Sequence, residues 1–153
     1  MGSTAAPILL VEDNPDDVRL IRRAFHRSKL LNPIHVVADG DVAVAYLAGE
    51  GEYANRADHP LPVLILLDLE LPKRSGHEVL EWVRAQAGLR RIPVAILTSS
   101  RESVDVNRAY DLGANAYLLK PVEFEALVEP VKATNMFWLI LNERPDADGG
   151  LVG

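Results

Sequence analysis

Three observations predict an α/β fold, a doubly wound five-stranded parallel sheet with helices on both faces. Five short apolar runs recur, at 8–11, 34–38, 63–67, 94–97 and 116–119. None alternates apolar with polar residues, which suits strands covered on both sides. Helical patterns with short connections separate them, so the βα unit repeats five times and right-handed crossovers build one sheet.

Each element has its own signal. The first run leads into NPDD, where Asn14 suits an N-cap and Pro15 the first helical position. Asp16 and Asp17 then complement the helix dipole. In the first helix Leu20, Ile21, Ala24 and Phe25 share a face opposite Arg19, Arg22, Arg23 and Arg27. A shorter helix over 42–47 ends at Gly49. The stretch 49–62 reads as a surface loop. The third helix, 76–87, turns Val79, Leu80 and Val83 inward. Ser99 and Glu102 have the spacing of a capping box before a helix over 103–112, which Gly113 ends. A last helix begins near Glu123, and Pro130 should kink or break it.

Bulk properties narrow the function. The chain has 153 residues, 48% hydrophobic and 25% charged, as expected of one ordinary globular domain. A net charge of −6 argues against broad nucleic-acid binding and against an anionic membrane surface. No apolar run approaches the roughly 18 residues of a membrane span. Cysteine is absent, which excludes disulfides and thiol catalysis and suits the cytoplasm. His26, His35, His59 and His77 lack ligand spacing and read as surface or structural residues.

Doubly wound folds bind ligands beyond the carboxyl ends of their strands. Glu12 and Asp13 follow the first strand, Asp68 the third, Thr98 the fourth and Lys120 the fifth. Three carboxylates on one rim suit a hard divalent cation such as Mg2+. Without one, two such acids about 4 Å apart would repel by about 4 kcal/mol at an effective dielectric near 20. An ionised aspartate is also a nucleophile able to become an aspartyl phosphate. Phosphoryl transfer needs its charge neutralised from several sides, as a cation, an ammonium and a hydroxyl can do.

With the acid pair Glu12-Asp13, Asp68 in DLELP, Gly76, Thr98 and Lys120-Pro121, the sequence resembles the receiver domains of two-component response regulators. The resemblance spans about residues 7–142, leaving 143–153 as an expected disordered tail. It implies a flavodoxin-like (βα)5 fold and phosphorylation of Asp68 by a histidine kinase. It implies Mg2+ held by Asp13 and Asp68, by Glu12 through water and by the backbone carbonyl of Glu70. Lys120 would pair with the phosphoryl group and Thr98 would hydrogen-bond to it. Tyr117 would be the aromatic switch that turns inward with Thr98. Val18 and Arg22 would meet the kinase. Glu70 departs from the neutral polar residue many members carry; it could pair with Lys73 or tune hydrolysis.

Only residues 121–153 follow Lys120, so a stand-alone receiver without an output domain is expected. Met136 to Leu141 are apolar in succession, more than one helix face needs. A homodimer through this segment, with Phe137 or Trp138 exposed to the partner, is therefore expected. The long loop, LPKRSG and the FWL segment are most similar to regulators paired with bacteriophytochrome histidine kinases. Two other functions fit parts of the pattern. A receiver-like adaptor that signals without phosphate would usually lack some of these five site residues. A phosphatase using Asp68 in a D-x-D-like motif is weakened because Glu70 replaces the second Asp.

Overall fold

The computed structural model of the chain describes residues 6–27 and 32–120. Along the chain run β1 (Ile8–Val11), α1 (Pro15–Arg27), β2 (Ile34–Val37), α2 (Gly40–Ala48), a 3-10 turn (Gly51–Ala54) and β3 (Leu64–Leu67). Then come α3 (Gly76–Ala85), β4 (Val94–Thr98), α4 (Ser103–Asp111) and β5 (Ala116–Leu119). The strands form one sheet in the order β2-β1-β3-β4-β5, every pair parallel. This is the flavodoxin-like fold expected from the sequence.

The apolar runs lack alternation because β1, β3 and β4 are buried at every position. Their side chains still divide by parity between two cores. Leu9, Val11, Ile65, Leu67, Val94 and Ile96 pack with α2, α3 and Ala109 of α4. Ile8, Leu10, Leu64, Leu66, Ala95 and Leu97 pack with Ile21, Ala24 and Phe25 of α1. The amphipathic face read for α1 is thus the face it buries.

Helix ends bring one correction. The expected capping box at Ser99 and Glu102 does not form; α4 starts at Ser103, and Glu102 at its N-cap makes no side-chain cap. Ser99 instead donates to Glu70, and Ser100 to Asp105. The capping box lies at α3. There Ser75 Oγ accepts from the Glu78 N–H at 3.2 Å, and Glu78 Oε1 accepts from the Ser75 N–H at 2.8 Å. The 49–62 loop lies mostly at the surface, as expected, and is tied to α2. Arg56 donates to the carbonyls of Tyr46 and Leu47, each at 2.8 Å, and so satisfies the end of α2. His35 and His59 pack against Tyr46, fitting the structural role expected of them.

Among the described residues no helix is long and apolar enough to cross a membrane. The expected last helix, the dimer surface at Phe137 and Trp138, the effect of Pro130 and the tail at 143–153 lie outside the described residues.

Candidate functional site

The sheet register assembles the site. Val11 pairs with Leu67, so Glu12 and Asp68 leave neighbouring strands side by side. The ladder runs one step further on both: the Asp68 N–H donates to the Val11 carbonyl at 3.1 Å and the Glu12 N–H to the Val37 carbonyl at 3.0 Å. At the other edge the Lys120 N–H donates to the Thr98 carbonyl at 2.7 Å. These bonds hold the backbones of the site residues as firmly as the sheet itself.

One oxygen each from Glu12, Asp13 and Asp68 lies within 4.8 Å of the others. Glu12 and Asp68 are buried, while Asp13 faces solvent. Oxygen-only donors, one of them open to water, fit a hard divalent cation that keeps part of its hydration. The Lys120 ammonium neutralises the cluster from the opposite side. Its Nζ donates to Glu12 Oε1 at 2.8 Å, to Asp17 Oδ2 at 2.8 Å and to Asp68 Oδ2 at 3.2 Å. The other oxygens are occupied too: Asp68 Oδ1 accepts from the Glu70 N–H at 3.0 Å, and Glu12 Oε2 from the Asn14 N–H at 3.2 Å. The acids border a cleft of about 360 Å³ whose rim includes Ser99 and Glu70.

The electrostatics follow from this crowding. Burial raises the Glu12 carboxyl to about 7, reinforced by the negative charge of Asp68 and opposed by the Lys120 hydrogen bond. Burial by itself would lower the Lys120 ammonium; hydrogen bonds to Asp17 and Glu12, with the charge of Asp68, overcome it and raise the group. Lys120 is therefore a fixed positive charge. Burial likewise raises Tyr117, against the opposing effect of its hydrogen bond at Ser100.

Most of the predicted residues meet here, and three placements differ from the simplest expectation. Thr98 is fully buried and lies behind the cleft; its Oγ1 accepts from the Ser100 N–H at 3.4 Å, and it is Ser99 that reaches the rim. The Glu70 side chain accepts from Ser99 Oγ at 3.1 Å and makes no ion pair with Lys73. Asp17, read from sequence as a helix-start residue alone, reaches Lys120. No local signal marked it: the first turn of α1 explains an acid at this position equally well by the helix dipole. Tyr117 is half-buried, donates to the Ser100 carbonyl at 3.1 Å and lies beside Tyr110 of α4. Val18 and Arg22 border a mostly apolar groove with Pro15 and Val36, opening beside Glu12 and Asp13.

Fold and site together define a class: a doubly wound α/β domain with an acidic, metal-competent centre and an invading lysine at its strand ends. Residues 8–132 match the family described as the response regulator receiver domain. The chain belongs to that family, and its function is phosphorylation-based two-component signalling. It is 42% identical over 132 residues to Response regulator Rcp1 of Synechocystis sp., spanning 86% of this chain and 88% of that one. The Mn2+-bound form of Rcp1 superposes with a TM-score of 0.75 at 40% identity, covering 88% of this chain and 94% of that chain. The phosphorylated cyanobacterial phytochrome response regulator RcpA gives 0.78 at 43% identity, covering 89% and 95%. The bacteriophytochrome response regulator RtBRR gives 0.77 at 49% identity, covering 93% and 85%.

Proposed function

We propose that Asp68 accepts a phosphoryl group from a phosphohistidine of a histidine kinase, with Mg2+ as the divalent cation. A carboxylate oxygen of Asp68 forms the new bond to phosphorus, the phosphorus–nitrogen bond breaks, and the imidazole leaves. Hydrolysis by water later returns the free carboxylate and inorganic phosphate. One observation carries the reading: buried Asp68 stands 3.2 Å from the Lys120 ammonium, in a group of three carboxylates whose oxygens lie within 4.8 Å. Glu12, Asp13 and Asp68 would hold the cation, with the Glu70 carbonyl as a further ligand, and it would supply charge neutralisation at the phosphoryl oxygens. Lys120 neutralises the same group from the β5 side. On this reading the protein catalyses only its own phosphorylation and dephosphorylation, and works in the cytoplasm, as a chain without cysteine can.

The signal would leave through β4 and β5. Thr98 is the buried end of β4, and its hydroxyl and the Tyr117 hydroxyl both bond to Ser100. A phosphoryl group that draws the Thr98 hydroxyl into the cleft must move this loop, and Tyr117 must give up its present partner. This is a small bistable element biased by a local charge. Nothing observed favours a phosphate-independent adaptor, since the five site residues are intact, three of them form the carboxylate group and Lys120 bonds two of those.

The direct test is incubation with a small phosphodonor and Mg2+, followed by intact mass. Wild type should gain one phosphoryl group, and neither Asp68→Asn nor wild type in excess chelator should gain any. Wild type that binds Mg2+ yet stays unmodified would end the proposal.

The names of RcpA and RtBRR support a phytochrome-type histidine kinase as donor. The groove beside the acids is the docking surface this reading requires. Half-buried Val18 forms part of its apolar floor, and the Arg22 guanidinium donates to the Ile34 carbonyl at its edge. A charge there should oppose docking and leave the chemistry alone. Val18→Glu should therefore slow transfer from the phosphorylated kinase by about tenfold or more, the effect of losing a packed contact of about 1.4 kcal/mol. Uptake from the small donor should not change. Equal transfer rates for variant and wild type would move the docking surface elsewhere.

A further inference from the structure

Asp16 and Asp17 are adjacent acids in the first turn of α1, yet they do different things. Asn14 Oδ1 already accepts from the N–H groups of both, so the helix start is capped without either carboxylate. Asp16 is exposed and pairs with Arg19, one turn along the same helix. The Asp17 carboxylate turns into the cleft and bonds Lys120 Nζ at 2.8 Å.

The other partners of that ammonium are Glu12 and Asp68. Both belong to the three-carboxylate group suited to a cation, and Asp17 does not. A divalent cation and an ammonium that depend on the same two carboxylates repel each other and weaken each other's binding. Of the three partners of Lys120, only Asp17 could remain entirely its own.

We propose that Asp17 is a positioning residue, drawing the Lys120 ammonium toward the α1 side of the cleft so that the lysine competes less with a divalent cation for Glu12 and Asp68. The inference rests on the metal-assisted receiver reading above and assigns the lysine a partner within it. In the absence of Asp17, Lys120 would lean on Glu12 and Asp68 alone and compete more strongly with the cation.

The experiment is a calorimetric Mg2+ titration of the full unphosphorylated chain. Asp17→Asn should weaken Mg2+ binding by about fivefold, as loss of one partly buried ion pair allows. Asp17→Glu, which keeps the charge, should recover most of it. Asp16→Asn removes the same helix-start charge and should change affinity by less than about twofold. The discriminating step is a double-mutant cycle with Lys120→Gln. If Asp17 acts through Lys120, Asp17→Asn should have an effect of less than about twofold in that background. The same fivefold loss in both backgrounds would make Asp17 a plain field charge and overturn the proposal. So would an Asp17→Asn protein that binds Mg2+ like wild type. Wild type that fails to bind Mg2+ at all would instead overturn the metal reading, and this inference with it.

Discussion

Lys120→Ala should lower stability by about 3 kcal/mol in chelator at neutral pH, because it leaves close, mostly buried carboxylates without their cation. The side chains of Glu12 and Asp68 are only 1% and 6% exposed, so water screens them poorly. The pH dependence has a definite sign. Glu12 titrates at about 7 in the folded protein against 4.5 for the ordinary group. Its contribution is therefore fully present below pH 4.5 and lost as pH rises through about 7. Without Lys120 the Glu12 carboxyl rises further and takes up a proton more readily. The variant should then lose less at pH 5 than at pH 8. Excess Mg2+ should restore most of the stability by mass action. It should not restore phosphoryl uptake, which should fall by about 10²–10³, the usual effect of removing one donor that stabilises a transition state. Thermal melts with chelator and with Mg2+, beside a phosphodonor time course, measure both effects. Equal melting temperatures in chelator would mean that the ion cluster is not formed as described.

Gly76→Ala should be a strongly disruptive single-methyl change beside the site. Gly76 opens α3, and its N–H donates to the Leu69 carbonyl at 3.0 Å. A Cβ there would stand 2.3 Å from the Asp68 carbonyl oxygen and 2.6 Å from Leu69 Cα. Both are backbone atoms and cannot turn aside. Alanine gains up to about 1 kcal/mol of helix propensity over glycine, but overpacking against fixed atoms costs about 3 kcal/mol. The shift falls on the strand end that carries Asp68. A displacement of about 1 Å there should slow phosphoryl uptake by about a hundredfold. Gly88→Ala is the matching control: its Cβ meets nothing within 4 Å, so it should change stability by less than about 0.5 kcal/mol. Denaturant unfolding distinguishes the two variants, and a Gly76→Ala protein as stable as wild type would contradict the close packing of α3 on the β3 exit.

Both predictions concern residues whose importance was partly legible beforehand. Lys120 and Gly76 stood out in the sequence, Lys120 by following an apolar run and Gly76 by its place after DLELP. The partner of each was not legible. Lys120 sits after edge strand β5, and its stem must pass the end of β4 to reach Asp68 and then Glu12 and Asp17. The displaced capping box has a similar cause. Ser99 and Ser75 carry equal local signals, each with a glutamate at the required spacing. Glu70, brought near by the β3–β4 pairing, claims Ser99, whereas Ser75 keeps Glu78.

The parallel sheet was legible from local sequence, because uninterrupted apolar runs suit strands covered on both faces. The site was legible as well, because a charged residue directly after a buried strand can lie only at the strand end. Tertiary structure alone decided the pairing within the site: Asp17 joined to Lys120, Thr98 hidden behind the rim, Ser99 bonded to Glu70. Periodicity and capping are properties of a few neighbouring residues. Which carboxylate meets an ammonium 103 positions away depends on strand order and register, and these are set by packing over the whole chain.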